Sequence, residues 1–559
     1  MSEENKQDVA PATEIGSTSP PGDPVTERAI ADQVEQRAAD LLGEEERIQL
    51  DDTFVRQCLD ANERGDGVLY ATLHRDRFLF NTTPKDGEWL VWKGHVWEND
   101  YTRRSFAAVE QCALEYQRAA DRIGIRLQTE DLGKEAVDRL TKTQEKFHKR
   151  VSRLRTAGGA GKVLTWAPVV DPAMACREDD FDKHPWLLPV RNGVIDLETG
   201  ALTRGRPADL LTRALDIDYD PRADYAPFAT FLDEVSNDPE VSAFLKRSFG
   251  CAITGHAFEQ YIWVFIGPGR NGKGVLFSML GNVLGPYYHE INRGFLLEQR
   301  NEPSPGAASE HKYSLLGKRL IVGAETNRGQ KIDAAAVKSL SGEDKVTCRP
   351  NFKSEISFEP THNLFLHTNH LPVGLAKDFA LVQRLLLIEF PFRYVDDVEA
   401  EKRKNPRLAE TFRQKDPKLK DKLRACRQGI LRWLVEGCRE WVLHGISPPQ
   451  SVIDGVSSLQ LAEDYIGQFI ADCLVHHDDK PDLRLSCTAM YNAFKWWWAQ
   501  NMDGREQRVP SMKSVNTALR ERGAIVEKSG GKTWIYRHTI SLDIVEDVEA
   551  FIARGEHKS

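Results

Sequence analysis

Residues 265–277 read FIGPGRNGKGVLF, with Gly267 and Gly272 bracketing four residues ahead of Lys273. This is the spacing G-x-x-x-x-G-K. Glycines let successive backbone N–H groups converge on phosphate oxygens at a helix start, and the lysine reaches the terminal phosphates. The candidate cradle is Gly267, Pro268, Gly269, Arg270, Asn271, Gly272, Lys273 and Gly274. Gly274 occupies the position at which a serine or threonine hydroxyl would hold magnesium.

A phosphate cradle hydrolyses nothing by itself; an acid at the end of a neighbouring strand must hold the metal or orient water. Glu325 ends the apolar run RLIVGAE and is the candidate. Asn369 ends LFLHTN, where an amide can meet the γ-phosphate or the attacking water, and Arg384 opens the next apolar run. Each has a plainer reading alone: a loop carboxylate, a turn former and an ion-pair partner. A second glycine cluster, GGAGK at 158–162, is discarded because Thr156 stands where its first glycine is required.

The elements around these residues alternate in type. A helix with a glycine stop (228–255) precedes the run YIWVFI, the loop and a second helix. The runs KRLIVGAE (318–325), NLFLHTN (363–369) and RLLLIEF (384–390) have the apolar continuity of buried strands, so an α/β sheet is expected. Upstream, 89–100 alternates like a hairpin, 104–155 is largely helical, and NG and TG pairs within 186–220 signal further hairpins. The run HKRVSRLR (148–155) is expected as a solvated helix face. After 415 an amphipathic helix carries Leu423, Ile430, Leu434 and Trp441 on one stripe. Near the C-terminus, helices at 487–501 and 511–523 and a Gly-Gly hairpin within 524–540 suggest a winged helix. Lys513, Arg520 and Arg522 on its recognition helix and Lys528 and Lys532 on its wing are the candidate phosphate contacts, while Trp496, Trp497 and Trp498 are assigned mainly to the core.

The net charge of −9 is unevenly spread. Residues 1–52 hold 14 acids against 4 bases, a local −10, and from Arg484 to Arg537 there are 10 bases against 4 acids, a local +6. A basic C-terminal region can therefore meet a phosphate backbone despite the acidic total. The Pro-, Ser- and acid-rich start (1–25) has too little apolar surface to fold, and a short exposed helix is expected over 26–50. Nine scattered cysteines form no C-x-x-C pair and are expected as reduced thiols. No apolar run approaches the roughly 20 residues that span a bilayer, and no signal peptide opens the chain, so a cytoplasmic location is expected.

The succession GPGRNGKG, LIVGAET, VKSLSGEDKVTCRP, LHTNHLP, QRLLLIEFPF resembles the superfamily 3 helicases, specifically the primase-helicases of phages, plasmids and poxviruses. Flanking stretches WLVWKGHVWEND, VRNGVIDLETGAL, LLTRALDIDYDP, GILRWLVEGCREW and MYNAFKWWW extend the resemblance over about residues 51–540. It implies an AAA+-like P-loop ATPase core between a mixed α+β N-terminal domain and a C-terminal winged helix, using ATP and Mg2+. The implied protein assembles as a ring, usually a hexamer, around DNA and moves 3′-to-5′ along one strand. Lys273 would bind phosphate, Glu325 would be the Walker B acid and metal ligand, Asn369 the sensor, and Arg384 the finger reaching a neighbour's ATP. The segment from Lys338 to Lys353 falls where the family meets single-stranded DNA, with Lys338, Lys345, Arg349 and Lys353 as candidates.

Three features depart from the family pattern: Gly274, Gln383 where a second arginine often precedes the finger, and a single Walker B acid. The expected organisation is a tail and short helix (1–50), N-terminal domain (51–185), linker (186–255), ATPase core (256–415), closing helical segment (416–455), winged helix (456–545) and tail (546–559). Alternatives are a DNA-stimulated ATPase that initiates or loads without separating strands, a primase within this chain, and a packaging motor. The region before 186 lacks a carboxylate cluster or zinc motif for priming, so any primase is expected on a separate polypeptide. The ATPase region is followed by no nuclease-like carboxylate set.

Overall fold

The computed structural model describes residues 50–291, 296, 310–324, 332–349, 355–369, 378–501 and 509–554. They divide into two compact units, one reaching Phe181 and the other running from Asp182 onward with Gly94–Val96 added. The expected tail and helix over 1–49 lie outside the described residues.

In the first unit, helices α1 (Asp52–Asp60) and α2 (Asn62–His74) lead into strands β1 (Phe78–Asn81), β2 (Glu88–Trp92) and β3 (Trp97–Asn99). The expected hairpin is β2–β3, closing at Trp92 opposite Trp97. Long helices α3 (Val109–Thr129) and α4 (Lys134–Leu154), then α5 (Ala157–Trp166) and β4 (Ala175–Cys176), complete it. The discarded glycine cluster lies inside α5, whose first turn is capped by Thr156 Oγ1 accepting from the Gly159 amide at 3.1 Å. The basic run 148–155 is the solvated face expected only in part: His148, Lys149 and Arg155 are exposed, but its basic side chains are also engaged within the fold. Arg150 is buried and bonded to Asp66 at 2.6 Å, Arg153 pairs with Glu63, and Arg155 pairs with Glu110 at 2.8 Å. Burial raises the Asp66 carboxyl above its usual range, against the pull of Arg150 and the Tyr116 hydroxyl.

The second unit begins with the meander β5 (Leu187–Val190), β6 (Gly193–Asp196) and β7 (Ala201–Thr203), turned at the NG and TG pairs. Helix α6 (Ala226–Ser236) stops at Asn237 in the left-handed conformation. Helix α7 (Pro239–Ala252) starts at once, with Asp238 as its cap and Pro239 in its first turn.

A five-stranded sheet follows, built from β8 (Ile262–Ile266), β9 (Tyr288–Ile291), β10 (Leu320–Ala324), β13 (Asn363–Thr368) and β14 (Leu385–Glu389). Helices α8 (Lys273–Leu284) and α9 (Ala334–Ser341) and a small hairpin of β11 (Val346–Cys348) with β12 (Ile356–Phe358) lie among its crossovers. The strand order is β14-β8-β13-β10-β9, and every pairing is parallel. Alternation along β8 serves both faces. Trp263 and Phe265 join the aromatic core beneath α8, whereas Ile262 and Val264 join the aliphatic core on the other side.

The single helix expected after 415 is broken at Cys426: helix α10 (Arg427–His444) buries Ile430, Leu434 and Trp441, and a separate seven-residue helix (Leu419–Ala425) buries Leu423. Helix α10 packs on α7 through glycines: a Cβ on Gly250 would lie 2.1 Å from the Cys438 nitrogen, and one on Gly437 2.1 Å from the Lys246 carbonyl oxygen. The C-terminal elements are α11 (Tyr465–Cys473), β15 (Leu474–His476), β16 (Arg484–Ser486), α12 (Cys487–Asn501), α13 (Met512–Glu521), β17 (Val526–Ser529), β18 (Lys532–Tyr536), β19 (His538–Ile540) and α14 (Val545–Ala553). They bury a core of their own, including Trp497 and Trp498, while Trp496 packs against it half-buried. The β17–β18 hairpin turns at Gly530 and Gly531, both left-handed with φ 60° and 79°. All nine cysteines are free thiols. Among the described residues no helix is long and apolar enough to cross a membrane.

Candidate phosphate-binding site

The loop leaves β8 at Ile266 and enters α8 at Lys273, so it stands at the carboxyl end of a parallel sheet, where such sheets bind ligands. Backbone geometry explains both motif glycines. Gly267 has φ 149° and Gly272 φ 96°. A Cβ on Gly267 would meet the Phe390 carbonyl oxygen at 2.2 Å, and one on Gly272 would meet Val235 Cγ1 at 2.8 Å. Only glycine combines these dihedrals with these approaches.

The loop is tied down by the segment that follows β14. Asn271, 3 % exposed, donates through Nδ2 to the Phe390 carbonyl at 3.2 Å. Its Oδ1 accepts from the Lys273 amide at 3.4 Å. Arg270 turns left-handed with φ 66°, and its carbonyl accepts from the Tyr394 amide at 2.9 Å. The Tyr394 hydroxyl in turn donates to the Glu234 carbonyl at 3.1 Å, and burial pushes that phenol up to about 12.

Lys273 is 4 % exposed. Its ammonium donates to the Gly267 carbonyl at 2.8 Å and to Asn369 Oδ1 at 3.2 Å. A buried ammonium is costly unless hydrogen-bonded, and these acceptors hold it at the loop. The contact follows from topology: β8 and β13 are neighbours with Ile266 opposite Thr368, so Lys273 and Asn369 emerge from adjacent strand ends. Gly274 is exposed, and a Cβ there would meet nothing within 4 Å. The amides of the loop and helix start suit phosphate oxygens, whereas Gly274 offers a metal no hydroxyl.

Strand β10 ends at Ala324, beside His367 of β13. Glu325, the next residue, lies outside the described residues. Arg384 is not gathered to the loop. Its carbonyl accepts from the Ile262 amide at 2.7 Å, at the amino ends of β14 and β8. Five strand residues therefore separate it from the loop end, roughly 15 Å. Its guanidinium donates at 3.2 Å to both the Lys338 carbonyl and Ser341 Oγ, at the end of α9.

The expected DNA contacts divide in the same way. Lys345 and Arg349 are exposed at the β11–β12 hairpin, with Lys345 3.9 Å from Glu359, while Lys353 lies outside the described residues. Lys338 is ion-paired to Asp378 at 2.8 Å. In the C-terminal region Lys513, Lys528 and Lys532 are exposed. Arg520 instead donates to the Val526 carbonyl at 3.2 Å, and Arg522 pairs with Asp464, so both are engaged within the fold. The sequence reading missed strand β9, which is four residues long, and the anchors at Phe390 and Tyr394. A backbone carbonyl or amide carries no sequence signal.

Two family models match. One is described as D5 N terminal like and covers residues 68–237; the other, a family of unknown function (DUF5906), covers 265–384 and so spans the loop, Glu325, Asn369 and Arg384. The chain is 26 % identical over 363 residues to "Putative helicase L207/L206" of Acanthamoeba polyphaga mimivirus, covering 64 % of this chain and 37 % of that protein. It is 24 % identical over 349 residues to "Putative helicase 121R" of Invertebrate iridescent virus 3, covering 58 % and 36 %. The chain thus matches little more than a third of the length of either relative. Among solved structures it is similar to the apo NrS-1 C-terminal region, with 11 % identity and a TM-score of 0.36 over 68 % of this chain and 89 % of that one. The chain carries a D5 N-terminal-like domain followed by the DUF5906 segment, and the likeness to viral primase-helicases read from its motifs stands on these matches.

Proposed function

We propose that this protein is an ATP-dependent DNA helicase of superfamily 3, replicating a mobile element, with its motor in the five-stranded parallel sheet. The observation that carries the reading is the Lys273 ammonium held between the loop carbonyl of Gly267 and the amide of Asn369. In a motor of this type the lysine turns to the β- and γ-phosphates when ATP enters, and Asn369 is left to orient water or sense the γ-phosphate. Glu325 is the residue we assign to hold magnesium, which when bound would supply neutralisation of the charge developing on the phosphoryl group.

Arg384, at the far end of the sheet from its own loop, suits a role in the site of a neighbouring copy within a ring. Lys345 and Arg349 at the β11–β12 hairpin, together with Lys353, would follow single-stranded DNA in the channel, with 3′-to-5′ polarity. The two successive helices α12 and α13 followed by the β17–β18 hairpin support a winged helix whose Lys513, Lys528 and Lys532 meet the DNA backbone.

The test measures ATPase activity, fork unwinding and particle size together, with and without DNA and nucleotide. DNA-stimulated hydrolysis and strand displacement by an assembled particle, both lost in Lys273→Ala, are expected. Hydrolysis without displacement would instead identify an initiator or loading module. Hydrolysis unchanged in Lys273→Ala would remove the proposed site.

A further inference from the structure

The C-terminal region holds two imidazoles that neither the phosphate loop nor the candidate DNA contacts use. His476 ends β15 and His538 opens β19, and the antiparallel register sets them directly opposite each other. Their ring centroids are 4.6 Å apart, and His476 Nδ1 lies 3.2 Å from His538 Nε2. The outer nitrogens are both engaged: His476 Nε2 is 3.1 Å from Asp478 Oδ1, and His538 Nδ1 is 2.7 Å from the Tyr536 carbonyl oxygen.

A carboxylate and a carbonyl only accept, so each outer nitrogen carries the proton. In a neutral imidazole the inner nitrogen then presents a lone pair. Two lone pairs face each other at 3.2 Å, an arrangement that repels unless an electrophile bridges it. Nitrogens bound tetrahedrally to zinc at about 2.0–2.1 Å are themselves separated by roughly 3.3 Å. Outer N–H groups given to a carboxylate and a backbone carbonyl are also the bonds that orient metal-ligating histidines. His477 turns away, its Nε2 lying 3.0 Å from Thr539 Oγ1, as strand alternation requires.

We propose that His476 and His538 form a two-imidazole site for a late first-row divalent cation, with Zn2+ the probe, oriented by Asp478 and the Tyr536 carbonyl. Among the described residues no group of three or more His, Cys, Asp or Glu is placed to hold a metal ion. The described residues thus supply two ligands, and water completes the shell, which the half-exposed His476 side chain allows. Metal here would clip β19 to β15. The competing occupant is a shared proton, which would leave one ring as imidazolium.

The test titrates Zn2+ into the full chain against a chromophoric chelator and follows the thermal midpoint. His476→Gln and His538→Gln are each expected to remove one equivalent of bound Zn2+ and its rise in midpoint. Asp478→Asn is expected to keep the stoichiometry and weaken binding about 10- to 100-fold. Unchanged stoichiometry in both histidine variants, or a pair that takes up a proton and no saturable Zn2+, would overturn the proposal.

Discussion

The ammonium of Lys273 and the amide oxygen of Asn369 lie 3.2 Å apart across 96 residues of sequence. Two parallel strands bring them together, so the pair measures how the sheet builds its site. Lys273→Ala is expected to abolish ATP turnover. Asn369→Ala leaves the lysine its Gly267 partner and is expected to lower kcat about 10- to 100-fold with a smaller change in KM, since one preorganised polar group is lost. Asn369→Asp adds a charge that repels phosphate, so KM should rise. Steady-state kinetics separates the three, and an unaltered kcat in Asn369→Ala would deny the amide its role.

The glycines of the loop are unequal. Gly267→Ala and Gly272→Ala force a side chain into left-handed backbone and to within 2.2 and 2.8 Å of neighbouring atoms. Each should cost about 1–3 kcal/mol and lose nucleotide affinity. Gly269→Ala meets nothing within 4 Å and should stay within about 0.5 kcal/mol of the parent. Denaturant unfolding with nucleotide titration checks the ranking.

Gly274 also has open space at its Cβ. Gly274→Ser should be tolerated and, in a helix, gain about 0.5 kcal/mol. Half-maximal hydrolysis should need less Mg2+, because the new hydroxyl would add a ligand to the one proposed at Glu325. Indifference of the Mg2+ dependence to this change would count against that account.

For DNA, the structure separates lysines from arginines. Replacing Lys513, Lys528 and Lys532 with alanine should weaken duplex binding and flatten the salt dependence, by a slope of about 0.9 for each phosphate no longer neutralised. Arg520→Ala and Arg522→Ala should leave the slope alone and lower stability instead, the exposed Arg522–Asp464 pair by no more than about 1 kcal/mol. Affinity measured over a salt series distinguishes the two groups.

His362 is 1 % exposed and its Nε2 lies 3.1 Å from the Leu340 carbonyl oxygen; burial lowers it from 6.5 to about 4. The unfolded chain therefore binds the proton first as pH falls. Stability from this residue is whole above pH 6.5 and is lost progressively down to about 4. The loss amounts to roughly 3 kcal/mol. Unfolding followed between pH 7 and 4 should be less steep in His362→Leu.

Much of the five-stranded sheet and its glycine loop was legible because their signals are local. The apolar runs became β8, β10, β13 and β14 to within two residues at each end, since strands buried on both faces need continuous apolar sequence. The glycine pairs became turns because only glycine takes those dihedrals cheaply. Partner choice was not legible. HKRVSRLR reads as a charged surface, yet Arg150 is spent on Asp66, 84 residues away in sequence, and nothing local distinguishes it from Lys149. Arg520 and Arg522 hid in the same way behind a charge count. Strand β9 escaped because four residues after a Gly-Pro turn carry no period of their own.

The anchoring of Asn271 to Phe390 and of Arg270 to Tyr394 bears on the order of events during synthesis. A nascent chain that has emerged only as far as β13 already carries both glycines, the lysine and the asparagine, but lacks Phe390 and Tyr394, the partners of Asn271 Nδ2 and of the Arg270 carbonyl. The loop reaches the arrangement described above only once Phe390, 119 positions beyond Asn271, has docked against it. Nucleotide binding at the proposed site would therefore report that the stretch following the fifth strand has already closed over the loop.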